Sequence, residues 1–215
     1  MPSSRHYSPT DRICLSLDQM LRSLFGEVHT TRRPYPAKDL AEPVLTDEQK
    51  THTAALMRIN HAGEICAQAL YHGQGMVSRS LCVQEKMRQA ALEEGDHLTW
   101  CQQRLTELGS HPSYLNPLWY SGSFFIGMIA GMVGDTWSLG FLAETEQQVV
   151  KHLESHLQLL PEQDYKSAKV LQQMQVDEAV HRDDAMHLGG RPLPILVKRA
   201  MAQISRLMVK AAYWV

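Results

Sequence analysis

Two short stretches, Glu94-Gly95-Asp96-His97 and Glu178-Ala179-Val180-His181, repeat one pattern: a glutamate followed three positions later by a histidine. In a helix that spacing places both side chains on one face. With 13 Glu and 11 His in 215 residues, about 0.7 such pairs arise by chance, so two are notable without being decisive. Phase adds more. Around the first motif the apolar stripe runs Met87, Ala90, Ala91, then Cys101, Leu105 and Leu108, and around the second Val170, Leu171, Met174, then Ala185 and Leu188. Each motif therefore interrupts the face that enters a core, where an uncompensated carboxylate is very costly. Asp184-Ala185-Met186-His187 has the same spacing but stands six residues past Glu178, about 240° around the helix, and faces elsewhere.

Two single glutamates complete the pattern. Glu64 follows Leu56, Asn60 and Gly63 and precedes Ala67, Leu70 and Tyr71 on one stripe; Glu146 lies on another with Leu139, Ala143, Val150, Leu153 and Leu157. Glu64 precedes Glu94 by 30 residues and Glu146 precedes Glu178 by 32, so the chain carries a twofold repeat. One Glu from each of two helices and a Glu-x-x-His from each of two others is the ligand set of a di-iron or di-manganese carboxylate bundle. Carboxylate oxygen and imidazole nitrogen suit Fe(II) or Mn(II), and four Glu with two His leave positions free for O2 or peroxide. Glu93, Glu144 and Asp177 adjoin these residues but point off the face, as solvated groups or partners of a ligand. His61 and His152 lie near the site, either orienting a ligand through a hydrogen bond or serving as satisfied structural histidines.

Outward from the motifs, long helices with short links define an all-α, four-helix bundle plus an amphipathic C-terminal helix. The first long helix opens at the capping-box pattern Thr46-Asp47-Glu48-Gln49 and runs to about Ser78. The second spans about Leu81–Leu108, with Gly109 as its stop. The third runs from about Leu118 to Leu160, bent among its glycines. The fourth covers about Gln163–Leu188, closed by Gly189-Gly190, and a fifth fills about Ile195–Trp214. Residues 1–45 read as an N-terminal appendage with a short helix near Leu15–Phe25 and a Pro-rich linker over Thr30–Pro43. Residues 46–190 are the bundle and 191–215 the basic C-terminal helix.

The formal charge of −2 argues against a nucleic-acid partner. It is unevenly spread: 46–190 carries −8 and 191–215 carries +5, an acidic body with a basic tail suited to an anionic surface such as a membrane. The four scattered cysteines, with no Cys-x-x-Cys, read as free thiols in a reducing compartment. From Leu115 to Ala143 the only charge is Asp135. That run reaches the length of a spanning helix, but Glu146 follows at once and belongs to the bundle core, so the reading is an interfacial or substrate-access surface. On the C-terminal helix, Leu196, Met201, Ile204 and Met208 form a stripe opposed by Lys198, Arg199, Arg206 and Lys210. That pattern marks an interfacial anchor, a helix packed on the bundle, or both.

The segments Arg58-Ile59-Asn60-His61-Ala62-Gly63-Glu64, Glu93-Glu94-Gly95-Asp96-His97-Leu98, Pro117-Leu118-Trp119 and Glu178-Ala179-Val180-His181 resemble the demethoxyubiquinone hydroxylases of ubiquinone biosynthesis, over about residues 46–190. The resemblance implies a ferritin-like di-iron monooxygenase that hydroxylates the ring of a polyprenylated 3-demethoxyubiquinol with O2. It implies two Fe2+ ions per chain, one served by Glu64, Glu94 and His97 and the other by Glu146, Glu178 and His181, with Glu94 and Glu178 as bridges and Glu144 as the fallback for Glu146. It further implies NADH as electron donor, although no Gly-x-Gly-x-x-Gly marks a Rossmann site, and other ubiquinone-biosynthesis proteins as partners. The absence of a targeting pattern fits a bacterial member, placed peripherally on the cytoplasmic face of the inner membrane. The rival readings are a ferritin-like protein that processes peroxide or iron, and a membrane-bound bundle whose metal is only structural.

Overall fold

In the computed structural model, which describes residues 8–215, the described residues form seven helices and no strand. The first seven residues of the N-terminal segment lie outside the described residues. The helices are α1 (Pro9–Phe25), α2 (Asp47–Val77), α3 (Leu81–Glu107), α4 (Asn116–Val133), α5 (Asp135–Leu159), α6 (Tyr165–His187) and α7 (Ile195–Trp214).

The bundle consists of two helical hairpins, α2–α3 and α5–α6. Thr46 caps α2 as its spacing predicts: the Gln49 amide N–H donates to Thr46 Oγ1 at 3.2 Å and the Thr46 N–H to Gln49 Oε1 at 3.0 Å. Helix α1 starts six residues before the expected Leu15. A capping box, Ser8 with Asp11, and a proline at the first helical position set that start.

The predicted single helix from Leu118 to Leu160 is two helices. The chain breaks at Gly134, whose φ of +127° is open to glycine and strained for other residues. The break separates the apolar half, α4, which lies along α2, from α5, which carries Glu146 into the bundle. No helix among the described residues is long and apolar enough to cross a membrane.

Two apolar clusters fill the bundle on either side of its middle, one around Met57, Trp100, Leu105, Leu153, Leu171 and Met174, the other around Leu70, Met87, Ala90, Leu139, Leu142 and Ala185. Along each bundle helix the motif glutamate lies between members of the two, so four carboxylates meet in the waist of the bundle. Helix α7 packs back on α2 and α5, burying Ala212 against Ile59 and Ala62. Its Leu196, Ile204 and Leu207 stay exposed, as do Leu118, Phe125 and Ile129 of α4.

Residues 27–45 form an irregular strap. A fully buried arginine ties it down: Arg104 of α3 donates to Ser167 Oγ (2.8 Å), Asp164 Oδ1 (3.0 Å), Glu107 Oε2 (3.0 Å) and, on the strap, Glu42 Oε1 (2.8 Å). A buried charge is tolerable only when paired in this way.

Candidate metal centre

Two overlapping groups of ligand atoms form in that waist. One comprises Glu64, Glu94, His97 and Glu178, the other Glu94, Glu146, Glu178 and His181; within each group all atoms lie within 4.8 Å of one another and every residue is buried. The six predicted ligands are thus brought together, and Glu94 and Glu178 belong to both groups. Of the two acids near position 145, Glu146 lies in the cluster. Glu144 instead pairs with Lys198 Nζ at 2.6 Å.

The histidines present Nδ1 to the carboxylates. His97 Nδ1 is 3.1 Å from both Glu94 Oε2 and Glu178 Oε1, and His181 Nδ1 is 3.1 Å from Glu178 Oε2 and 3.4 Å from Glu94 Oε1. Their outer nitrogens are held by acids from the opposite hairpin. His97 Nε2 on α3 donates to Asp177 Oδ2 on α6 at 2.9 Å, while His181 Nε2 on α6 donates to Glu93 Oε2 on α3. Carboxylates in this place fix the ring and raise its strength as a ligand. His61 and His152 make no hydrogen bond to the six: His61 Nδ1 is partnered by Asn116 Nδ2 at 3.4 Å, and the buried His152 Nε2 has no partner. Burial pulls both rings down to about 4, leaving them neutral near pH 7.

Two other contributors had roles that periodicity did not show. Tyr71, read as a stripe residue, is buried and donates its hydroxyl hydrogen to Glu146. Arg33, in the strap, donates to Asp177 and lies over the Trp100 ring, 4.7 Å from its centre. The strap lies so close to the first motif that a Cβ at Gly95 would stand 2.1 Å from the His29 carbonyl oxygen; the glycine between Glu94 and Asp96 is a packing requirement.

The donor set fits a pair of divalent cations. Four carboxylates carry a formal −4, which two such ions neutralise, and buried Glu94 Oε1 has no hydrogen-bond partner. With no cation, protons take that role. Burial, reinforced by Glu94, pushes Glu64 well above the ordinary 4.5, and burial with Glu178 does the same to Glu146. Burial opposes charge on His97, but Glu178 and Asp177 outweigh it and hold the ring well above its ordinary 6.5. His181 is raised in the same way, against burial, by Glu178 and Glu93. Against its own burial, Glu94 is held low by His181 and His97.

These shifts predict opposite pH slopes. A group whose pKa is raised on folding contributes stability that is complete below its unfolded pKa and lost as pH climbs toward the folded value. For Glu64 and Glu146 the loss starts near 4.5 and for both histidines near 6.5. Metal-free protein should therefore weaken as pH rises from about 5 to about 8, through the two glutamates first and the histidines above about 6.5. Divalent metal displaces those protons, so its affinity rises over the same window. Thermal melts with and without chelator, run across pH, check both slopes; parallel slopes would contradict the ligand set.

A cavity of about 530 Å³ leads to the cluster between α2, α4, α5 and α7. Glu64, Glu146 and Glu178 are among its lining residues, and the rest of the wall is largely apolar, with Leu70, Trp119, Ile126, Phe141 and Met208. A more polar recess, about 800 Å³, lies among α1, α2 and α3 and includes Tyr71 in its lining.

The family described as ubiquinone biosynthesis protein COQ7 matches residues 51–212. The chain belongs to the COQ7 family. That match spans the bundle from the first turn of α2 onward and includes all six clustered residues. Similar proteins extend the match to almost the full length. Each is named 3-demethoxyubiquinol 3-hydroxylase: one from Nitrosococcus oceani is 49% identical over 98% of this chain and 99% of its own, one from Acinetobacter baylyi 52% identical over 98% and 100%, and one from Bordetella petrii 52% identical over 100% and 95%. The strap and α1, outside the COQ7 match, are covered by these relatives.

Proposed function

We propose that this COQ7-family chain is a 3-demethoxyubiquinol 3-hydroxylase, in which Glu64, Glu94, His97, Glu146, Glu178 and His181 hold two iron ions. One observation carries the reading: a buried cluster of four carboxylates and two imidazoles at the inner end of an apolar cavity. The ions held there would supply the activation of O2; one oxygen atom would enter the quinol ring and the other leave as water, with two electrons and two protons from a donor and solvent. The protein's part is binding, orientation and exclusion of water. The apolar wall takes the ring and the start of the isoprenoid chain, while Asp177 and Glu93 keep both histidines aimed inward. Tyr71 holds the Glu146 carboxylate through its hydroxyl.

The apolar access route favours a lipidic quinol over peroxide or ferrous ion, which are small and polar and have no use for it. The exposed apolar residues of α4 and α7 beside Lys198, Arg199, Arg206 and Lys210 support a peripheral position on an anionic bilayer. In this reading the isoprenoid tail stays in lipid at the cytoplasmic face of the bacterial inner membrane. NADH as donor and neighbouring ubiquinone-biosynthesis proteins belong to the same proposal.

The quinone profile of a bacterial host lacking its own hydroxylase tests the assignment by mass spectrometry. Expression of the chain should replace accumulated demethoxyubiquinone with ubiquinone. Continued accumulation in the presence of soluble, iron-loaded protein would remove the quinol substrate and send the search to peroxide and ferrous iron.

A further inference from the structure

Behind the two histidines the halves of the cluster are built alike, with one exception. In one half Gln89 donates to Glu93 Oε1 (2.6 Å), and Glu93 Oε2 accepts from His181 Nε2. In the other Gln173 donates to Asp177 Oδ1 (3.0 Å), and Asp177 Oδ2 accepts from His97 Nε2 (2.9 Å). Each glutamine stands four residues before its acid, and each acid one residue before its motif's glutamate.

Arg33 breaks this symmetry. Its Nη2 donates to the same Asp177 Oδ2 and lies 3.3 Å from His97 Nε2. Its Nε is 3.4 Å from the buried Asp96, and its guanidinium stacks on Trp100, whose ring centre is 5.3 Å from that of His97. Among the described residues no lysine or arginine hydrogen-bonds Glu93; Lys86, about two turns earlier on α3, pairs with Asp184 at 2.9 Å and reaches Glu93 only through its field. A carboxylate that shares its charge with a guanidinium is a poorer acceptor for an imidazole N–H, which leaves that imidazole a weaker metal ligand. The guanidinium charge, beside the outer edge of His97, also repels a cation held at the inner edge.

We propose that Arg33 is a positioning residue that makes the two metal positions unequal, weakening the His97 position relative to the His181 position. Metal then loads in order, the His181 side first. This inference rests on the metal reading above but can fail separately from it.

The test is titration of the metal-free full chain with Co2+, followed by cobalt absorption and calorimetry. Wild type should bind in two steps whose dissociation constants differ about tenfold or more, the size expected for a change in a ligand's partner. His97→Ala should remove the weaker step and His181→Ala the tighter one. Arg33→Gln leaves Asp177 held by Gln173 and His97, as Glu93 is held by Gln89 and His181. It should bring the two constants within about threefold of each other by tightening the weaker step. Arg33→Lys, which keeps the charge, should retain the separation. Equal constants in wild type, or an unchanged separation in Arg33→Gln, would overturn the proposal. If Arg33→Gln does not fold, Asp177→Asn serves instead: the amide is a still poorer acceptor, so the separation should widen, and no widening would overturn it. Two cations bound with equal affinity sinks this inference alone, whereas no Co2+ bound by the wild type sinks the metal reading itself.

Discussion

Glu178→Ala is expected to abolish hydroxylation and release both cations while leaving the fold intact. Glu178 belongs to both ligand groups and contacts both histidines, at 3.1 Å in each case. Its loss therefore damages both metal positions at once, whereas Glu64→Ala or Glu146→Ala each removes a ligand from one group. A metal site supplies several kcal/mol to the reaction, so the rate should fall on the order of 10³-fold or more. The stability effect depends on the metal. In metal-free protein Glu178 is the acid that, against burial, holds both His97 and His181 protonated, so its deletion strands two buried imidazolium groups and should lower the melting temperature of the chelated protein near neutral pH. Added metal should widen the gap between wild type and Glu178→Ala, because only the wild type gains the stability of bound cations. Glu144→Ala, which breaks the half-exposed pair with Lys198, should keep both metal content and rate. Metal analysis, melts and turnover on these variants suffice. Full metal content in Glu178→Ala would contradict the shared position of this residue.

The cluster was legible because a bundle core imposes a period. A carboxylate on an apolar stripe is conspicuous, and four of them with matching spacings leave little choice of partners. What escaped depends on contacts between elements distant in sequence. Glu93 and Asp177 sit off their own stripes; that each serves the histidine of the other hairpin follows from how α3 and α6 face each other, 80 or more residues apart. Arg33 lies among prolines with no period to read, and its place is set by Asp96, Asp177 and Trp100. His61 precedes Glu64 by three positions, spacing that puts both near one face, yet its hydrogen bond goes to Asn116 at the start of α4. The break at Gly134 was hidden among five glycines between Leu115 and Ala143, because composition does not say which one takes a positive φ. The Ser8–Asp11 capping box was readable and would have placed the start of α1.

Filling the apolar cavity should separate stability from activity. Gly63 lies within α2, next to Glu64, and lines the cavity; a Cβ built there meets no atom within 4 Å. Gly122 of α4 lines the same cavity with the same freedom. Glycine inside a helix costs about 1 kcal/mol relative to alanine, and at both positions it leaves open space in the cavity. Gly63→Ala should raise the melting temperature by about 2–4 °C and keep most activity, because a single methyl leaves the passage open. Gly63→Leu or Gly63→Trp should keep the fold and the full metal content, since neither changes a ligand. Each places a side chain across the approach to Glu64 and should lower kcat/KM for the quinol on the order of 10²-fold, the cost of losing about 3 kcal/mol of ring placement. Gly122→Trp, on α4 rather than beside a ligand, should impair quinol turnover with the same intact metal content. The pairing of full metal, a sound fold and lost quinol turnover distinguishes a blocked route from a broken centre. Wild-type hydroxylation by metal-loaded Gly63→Trp would mean that the ring reaches the ions by another path, and the polar recess that includes Tyr71 would be the next one to close.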